Sequence, residues 1–187
     1  AKVGFLGRVG RDPVGKFLTE YATKVGFDAL TVQRDEERNT TLALVTLTDG
    51  ERDFAFFRHD TADFNIDEKS VNLAEYENLG IVHLGSLMLS EKAGRSFADS
   101  VIKKVREAGK VLSFDVNFRL DLYSGIEEAI KAYKPYVEEA DILKFSDDEI
   151  TAFTGKDTVE AAAKSLYKEN RQKKDKVGAY SYIPDTE

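Results

Sequence analysis

Ser113-Phe-Asp-Val-Asn-Phe-Arg-Leu-Asp-Leu-Tyr123 is the stretch on which the reading of this chain turns. An apolar, strand-like run opens at its end onto Asp115, Asn117 and Arg119, at alternate positions. In open α/β sheets, ligands sit in the crevice beyond the carboxyl ends of the strands. A carboxylate, an amide and a guanidinium placed there can grip a polyhydroxylated or anionic substrate. The plain structural alternative is a polar strand end leading into the next helix.

The flanking segments alternate in the same rhythm. Residues 110–116 read as a strand, and so do residues 81–86 before them. Between these lies a helix from about Glu91, with Phe97, Val101, Val105 and Ala108 on one face before Gly109. Downstream, Ile126, Ala129, Ile130, Tyr133 and Val137 mark a helix expected to bend or end near Pro135, followed by a strand over residues 140–145. A short helix starts near Asp147, and another near Thr158 buries Val159, Ala162, Ala163 and Leu166. A last strand fragment is expected over residues 177–183.

Toward the N-terminus, residues 1–6 read as a strand and Gly7 and Gly10 as part of a loop. Asp12 is the expected N-cap, with Pro13 at the first helical position. Val14, Phe17, Leu18, Tyr21, Ala22 and Val25 repeat at helical spacing, and Gly26 supplies the stop. Residues 40–48 and 52–58 are β-rich runs around Asp49-Gly50-Glu51, a hairpin signal. The alternation as a whole predicts an α/β fold with a mainly parallel sheet covered by helices.

A chain of 187 residues fits a single domain, 1–187, with a core large enough to need no disulfides. No apolar run approaches the ~20 residues of a membrane span. Lys+Arg 27 against Asp+Glu 34, a net charge of −7, argues against a general nucleic-acid binder. There is no cysteine, and the two separated histidines, His59 and His83, cannot build a His/Cys zinc site. A cytoplasmic enzyme is the matching expectation. The opening Ala-Lys-Val-Gly-Phe-Leu-Gly reads as a strand entered partway through a domain, not as a signal peptide.

Gly7-Arg-Val-Gly10-Arg-Asp12-Pro-Val-Gly15 departs from the dinucleotide fingerprint in glycine spacing and in having Pro13 at the helix start, so it reads as a structural turn. Ser146-Asp147-Asp148-Glu149 has the pattern of a capping box. The same helix start points free N-H groups outward, and its three carboxylates beside Lys144 suit Mg²⁺ held through water around nucleotide phosphates. The hairpin, with Leu42, Leu44, Phe54 and Phe56 as packing residues, suits a lid over a ligand or a dimer clasp. Arg58 at its end is placed to reach a substrate, and His83 reads as packed in its strand.

Taken in order, Gly7-x-x-Gly10-x-Asp12-x-x-Gly15, Asn39-Thr-Thr-Leu-Ala-Leu-Val, Asp49-Gly-Glu-Arg, Phe56-Phe-Arg58, Ala62-Asp63, His83-Leu-Gly-Ser86, Asp115-Val-Asn-Phe-Arg119 and Ala140-Asp-Ile-Leu-Lys-Phe-Ser-Asp-Asp-Glu149 carry a resemblance. Over residues 1–170 the chain resembles the ribokinase-like (PfkB-type) carbohydrate kinases, in a form similar to bacterial fructokinases. The resemblance implies a three-layer α/β/α sandwich with a small β lid over residues 39–62. It implies ATP-dependent phosphoryl transfer to a sugar hydroxyl, with Mg²⁺ and room for a monovalent cation. By position, Phe56, Arg58, Asp115, Asn117 and Arg119 would lie on the sugar side, Asp115 orienting the loop and Arg119 supporting catalysis. Lys144, Ser146 and Glu149 would lie toward the nucleotide, Glu149 also toward Mg²⁺ through water. Apart from the resemblance, the hairpin's own edges and apolar residues make a homodimer through it a further expectation.

Ser146 stands where many relatives have Asn, as fructokinase-like members often do. The family's Gly-Gly-x-x-x-Asn sugar motif is expected before Ala1, and its Gly-Ala-Gly-Asp element with the general-base Asp beyond Glu187. These residues alone are therefore expected to have very low kinase activity. A kinase for 2-keto-3-deoxygluconate or another sugar is the alternative in the same class, because Arg58 and Arg119 also suit a carboxylate. A non-catalytic fragment or dimerisation module is the alternative in a different class, and a nicotinamide-dependent dehydrogenase stands third.

Overall fold

A computed structural model describes residues 1–48, 51–73, 76 and 78–173. The Asp49-Gly50 turn and the strand expected over 177–183 lie outside the described residues. Two compact units make up the chain, Ala1–Ser70 and Val71–Glu187.

In the first unit, β1 (Gly4–Gly10) pairs in parallel with β2 (Ala29–Asp35), from Gly4↔Ala29 to Gly10↔Asp35. The sequence reading passed over β2 and ended β1 at residue 6. Pairing along all of β2 carries β1 through Gly7 to Gly10, because a partner strand satisfies backbone groups that a loop would leave to water.

Helix α1 (Pro13–Val25) joins these two strands. Asp12 is its N-cap: one carboxylate oxygen accepts from Gly15 N-H at 2.8 Å, and the other accepts from Thr40 N-H at 2.6 Å. Gly10 N-H in turn donates to Thr40 Oγ1 at 2.9 Å. Burial works against the Asp12 carboxylate, but these donors hold its pKa below the usual value. A Cβ on Gly15 would run into the Gly10 carbonyl, so the glycine spacing serves a close helix-to-loop approach. Gly26, at φ 76°, ends the helix in the left-handed conformation.

The apolar stripe of α1 departs from expectation, since Phe17 and Tyr21 are 63% and 60% exposed. The helix is specified by its cap, its proline and its terminal glycine, none of which requires that stripe to be covered.

Strands β3 (Leu42–Thr48) and β4 (Glu51–Phe57) form the antiparallel hairpin. Its register corrects the expected packing set. Val45 lies opposite Phe54, and Ala43 opposite Phe56, on one face; Leu42 and Leu44 belong to the other. Phe54 and Phe56 stack at 5.9 Å. Both faces nonetheless carry exposed apolar side chains, Leu42, Leu44 and Phe57 on one and Val45, Leu47 and Phe54 on the other.

The second unit is built on a parallel sheet in the order β5-β6-β7. Its strands are β5 (Ile81–Gly85), β6 (Val111–Asp115) and β7 (Ile142–Lys144). Helix α2 (Lys92–Glu107) joins the first pair and α3 (Ile126–Glu139) the second. Both pack on β6, burying Phe97, Val101 and Val105 from α2, Tyr133 and Val137 from α3, and Leu112 and Phe114 of the strand.

Pro135 does not end α3. Its ring removes only the bond to the exposed Lys131 carbonyl, while Tyr133, Tyr136 and Val137 stay buried on both sides of it. Helices α4 (Asp147–Thr154) and α5 (Val159–Lys173) follow, with Ala162 and Leu166 buried as expected. The other sheet face is open. Ile81 and Val111 are exposed, and His83, expected to be packed, is exposed with Nδ1 3.0 Å from Ser113 Oγ. It points away from the helix-covered side because its neighbour Leu84 takes the buried position of the alternating strand. Among the described residues no helix is long and apolar enough to cross a membrane.

Candidate active site at the strand ends

The three parallel strands of the second unit finish at one polar cluster. Asp115 ends β6 beside Lys144, which ends β7, and Lys144 Nζ donates to Asp115 Oδ2 at 3.0 Å. Val116 N-H donates to the Lys144 carbonyl, extending the pairing by one bond. Asn117 then adopts a left-handed backbone, φ 36°, which asparagine tolerates better than most residues. After β5, Ser86, 2% exposed, donates its hydroxyl to the Asn117 carbonyl at 3.4 Å.

Phe118 anchors the turn between Asn117 and Arg119. Its ring stacks on Tyr133 at 5.2 Å and on Phe153 of α4 at 6.4 Å, and Tyr123 meets Tyr133 edge-on. Arg119 folds back so that one guanidinium N-H reaches the Phe118 carbonyl at 3.0 Å. Beneath the turn, the Tyr133 side chain is fully buried, and burial pushes its pKa up against the opposing effect of the neighbouring Tyr123 and Ser86 hydroxyls. Asp115 Oδ1 is buried without a donor among the described residues. An unsatisfied buried acceptor is costly, and a bound hydroxyl would relieve it.

The capping box expected at Ser146 is formed. Ser146 Oγ accepts from Glu149 N-H, and Glu149 Oε2 accepts from Ser146 N-H at 2.8 Å. Beyond the box, Glu149 Oε1 accepts from Phe118 N-H at 2.7 Å. One carboxylate therefore ties the start of α4 to the 117–119 turn. Among the described residues no three His, Cys, Asp or Glu side chains gather as a metal site. Each Glu149 oxygen keeps a second lone pair, so the donor set fits a metal ion held through water rather than bound directly.

The structure thus brings together Asp115, Asn117, Arg119, Lys144, Ser146 and Glu149. Phe56 and Arg58 belong to the first unit. The Arg58 side chain is only 4% exposed; its guanidinium lies 4.0 Å over the Phe64 ring and pairs with Asp63. Asp63 also accepts from the Thr41 and Thr61 hydroxyls at 2.5 and 2.7 Å, clasping the root of the hairpin. Burial opposes its charge, yet those hydroxyls and Arg58 keep its pKa low. Asp63 is a functional residue that the sequence pattern alone does not single out; its spacing of five residues from Arg58 is the available signal.

Comparison with known proteins extends this geometry. Residues 1–178 match the family described as pfkB family carbohydrate kinase. The chain is 38% identical over 154 residues to a probable fructokinase-5 of Arabidopsis thaliana, covering 82% of this chain and 48% of that protein. Among solved structures it is similar to a sugar kinase from Pyrococcus horikoshii in complex with ATP, at 32% identity and TM-score 0.73, covering 83% of this chain and 51% of the other. It is also similar to a fructokinase double mutant from Vibrio cholerae O395 bound to fructose, ADP and potassium, at 28% identity and TM-score 0.77, covering 89% and 53%. The chain spans about half the length of the relatives it matches. With a ribokinase-like α/β fold and the strand-end cluster in place, this chain belongs to the pfkB family of carbohydrate kinases.

Proposed function

We propose that the protein carrying this chain transfers the γ-phosphoryl group of ATP to a sugar hydroxyl, with fructose as the first acceptor to test. The observation that carries the reading is the strand-end cluster, where Asp115 and Lys144 pair side by side and a buried Asp115 oxygen lacks a donor among the described residues. Fructokinase relatives and a fructose- and ADP-bound neighbour support the choice of sugar.

Asn117 and Arg119 line the acceptor side, and Asp115 orients their turn. In the hairpin unit, Arg58 is fixed by Asp63 and shapes the lid root. Lys144 offers a cation, and the start of α4 at Ser146 offers the positive end of a helix toward the phosphates. Mg²⁺, when bound, neutralises charge on the phosphate oxygens, and Glu149 is placed to hold it through water. Release of ADP from the intact protein, compared with fructose, ribose and 2-keto-3-deoxygluconate, tests the reading. Turnover of the sugar acid alone would move the substrate to that class, and no ADP release with any sugar would sink the kinase assignment.

The hairpin's two exposed apolar faces support a homodimer through it as part of this proposal, since one lid can cover a ligand with only one of them. Phe54→Ser with Phe56→Ser is expected to shift the protein toward monomer in light scattering. An unchanged mass would exclude the hairpin as the clasp.

A further inference from the structure

Glu149 is the residue whose geometry asks for more than a place near a metal. Both its oxygens are engaged by backbone N-H groups from different segments, Ser146 at the start of α4 and Phe118 in the turn after β6. Side-chain carboxylates that bridge two backbone donors act as braces, because charge-assisted bonds of this kind are short and roughly twice as strong as neutral ones. Phe118 is also the only residue between the two acceptor-side groups, Asn117 and Arg119, and its ring is held by Tyr133 and by Phe153 of the same helix. The left-handed Asn117 makes the turn one that the backbone would not keep unaided.

We propose that Glu149 is a positioning residue for the sugar side of the site, transmitting the location of the α4 N-terminus to the Asn117-Phe118-Arg119 turn through Phe118 N-H. The inference rests on the kinase reading for its kinetic consequence but not for the brace itself. With the brace in place, the phosphate-side helix and the acceptor-side turn move as one body. Without it, the turn keeps the ring contact of Phe118 with Phe153 but loses its hydrogen bond to α4, and a displacement of even ~1 Å at the acceptor is costly to phosphoryl transfer.

Two measurements on the intact protein test this, with Glu149→Ala and Glu149→Gln. Amide exchange read by NMR should show Phe118 and Ser146 N-H both exchanging about tenfold faster in Glu149→Ala, the loss of one charge-assisted bond each. Glu149→Gln presents a single acceptor oxygen, so one of the two amides should stay protected and the other should not. This isostere also covers the case in which the alanine variant fails to fold. In kinetics, the KM for the acceptor sugar should rise about fivefold or more in Glu149→Gln, and excess Mg²⁺ should not restore it. Unchanged exchange at Phe118 in both variants would overturn the brace. Restoration of the sugar KM by Mg²⁺ would assign Glu149 to the metal instead and also overturn the proposal. If the wild-type protein releases no ADP with any sugar, the kinase reading fails by itself, and the exchange data still decide the brace.

Discussion

Replacing Asp35 with Ala is expected to destabilise the protein by about 3–5 kcal/mol, the range for removing one partner of a buried ion pair. Asp35 is 2% exposed at the end of β2. Its carboxylate accepts from Arg8 at 2.7 and 3.0 Å and from the backbone N-H groups of Glu37 and Arg38 at 3.0 and 2.9 Å. Removing it strands a guanidinium and two amides at the point where the chain turns toward the hairpin. Asp35→Asn keeps one acceptor oxygen for those amides and should cost less.

The same site predicts a pH dependence. Burial opposes the Asp35 charge, but the two amides and Arg8 outweigh it, so its pKa in the folded protein lies below the unfolded value. A depressed carboxylate contributes stability that is complete above the unfolded pKa, about 4, and is lost as pH falls through the folded one. Asp12 and Asp63 are depressed for similar reasons and act in the same direction. Urea unfolding midpoints measured from neutral pH down to about pH 3 should therefore fall steeply in the wild type and less steeply in Asp35→Asn. A loss below about 1 kcal/mol for Asp35→Ala would mean that residues 36–39 rearrange to supply other partners.

Arg119→Ala is expected to lower kcat about 10²–10³-fold while leaving the unfolding midpoint nearly unchanged. On the kinase reading, Arg119 is the guanidinium nearest to the acceptor turn, and one preorganised donor aimed at developing charge is worth about that much. Among the described residues its hydrogen bond is to the neighbouring Phe118 carbonyl, so little folding free energy depends on it. Arg119→Lys keeps the charge but loses the planar fork and should recover part of the rate. A variant that keeps kcat within threefold and raises only the sugar KM would place Arg119 on the substrate's ground state rather than on the transferring phosphoryl group.

Particular elements show where sequence reasoning was sufficient. The cap at Asp12, the stop at Gly26 and the Ser146/Glu149 box were legible because each is a local device, set by residues at most four apart. The strand-end position of Asp115, Asn117 and Arg119 was legible because the β-α-β alternation puts them at the carboxyl end of a strand. Strand β2 was passed over because Thr31, Gln33 and Arg34 interrupt the apolar pattern, and only pairing with β1 makes the segment a strand. Pro135 was overweighted because the packing of Tyr133, Tyr136 and Val137 outweighs the loss of one hydrogen bond at an exposed position.

By itself, then, the sequence determined the order of most elements, the helix ends, the hairpin and the residues that meet at the ends of β6 and β7, since all of these follow from periodicity and short-range hydrogen bonding. Tertiary structure alone decided where individual groups are committed. It placed Arg58 under Asp63 and over Phe64, divided the hairpin's apolar residues between two faces, left the α1 stripe and His83 exposed, and joined Glu149 to Phe118 across 31 residues. The reason is physical: a side chain's partner is whichever donor or acceptor the packed backbone brings within about 3 Å, and that depends on long-range pairing which local sequence does not encode.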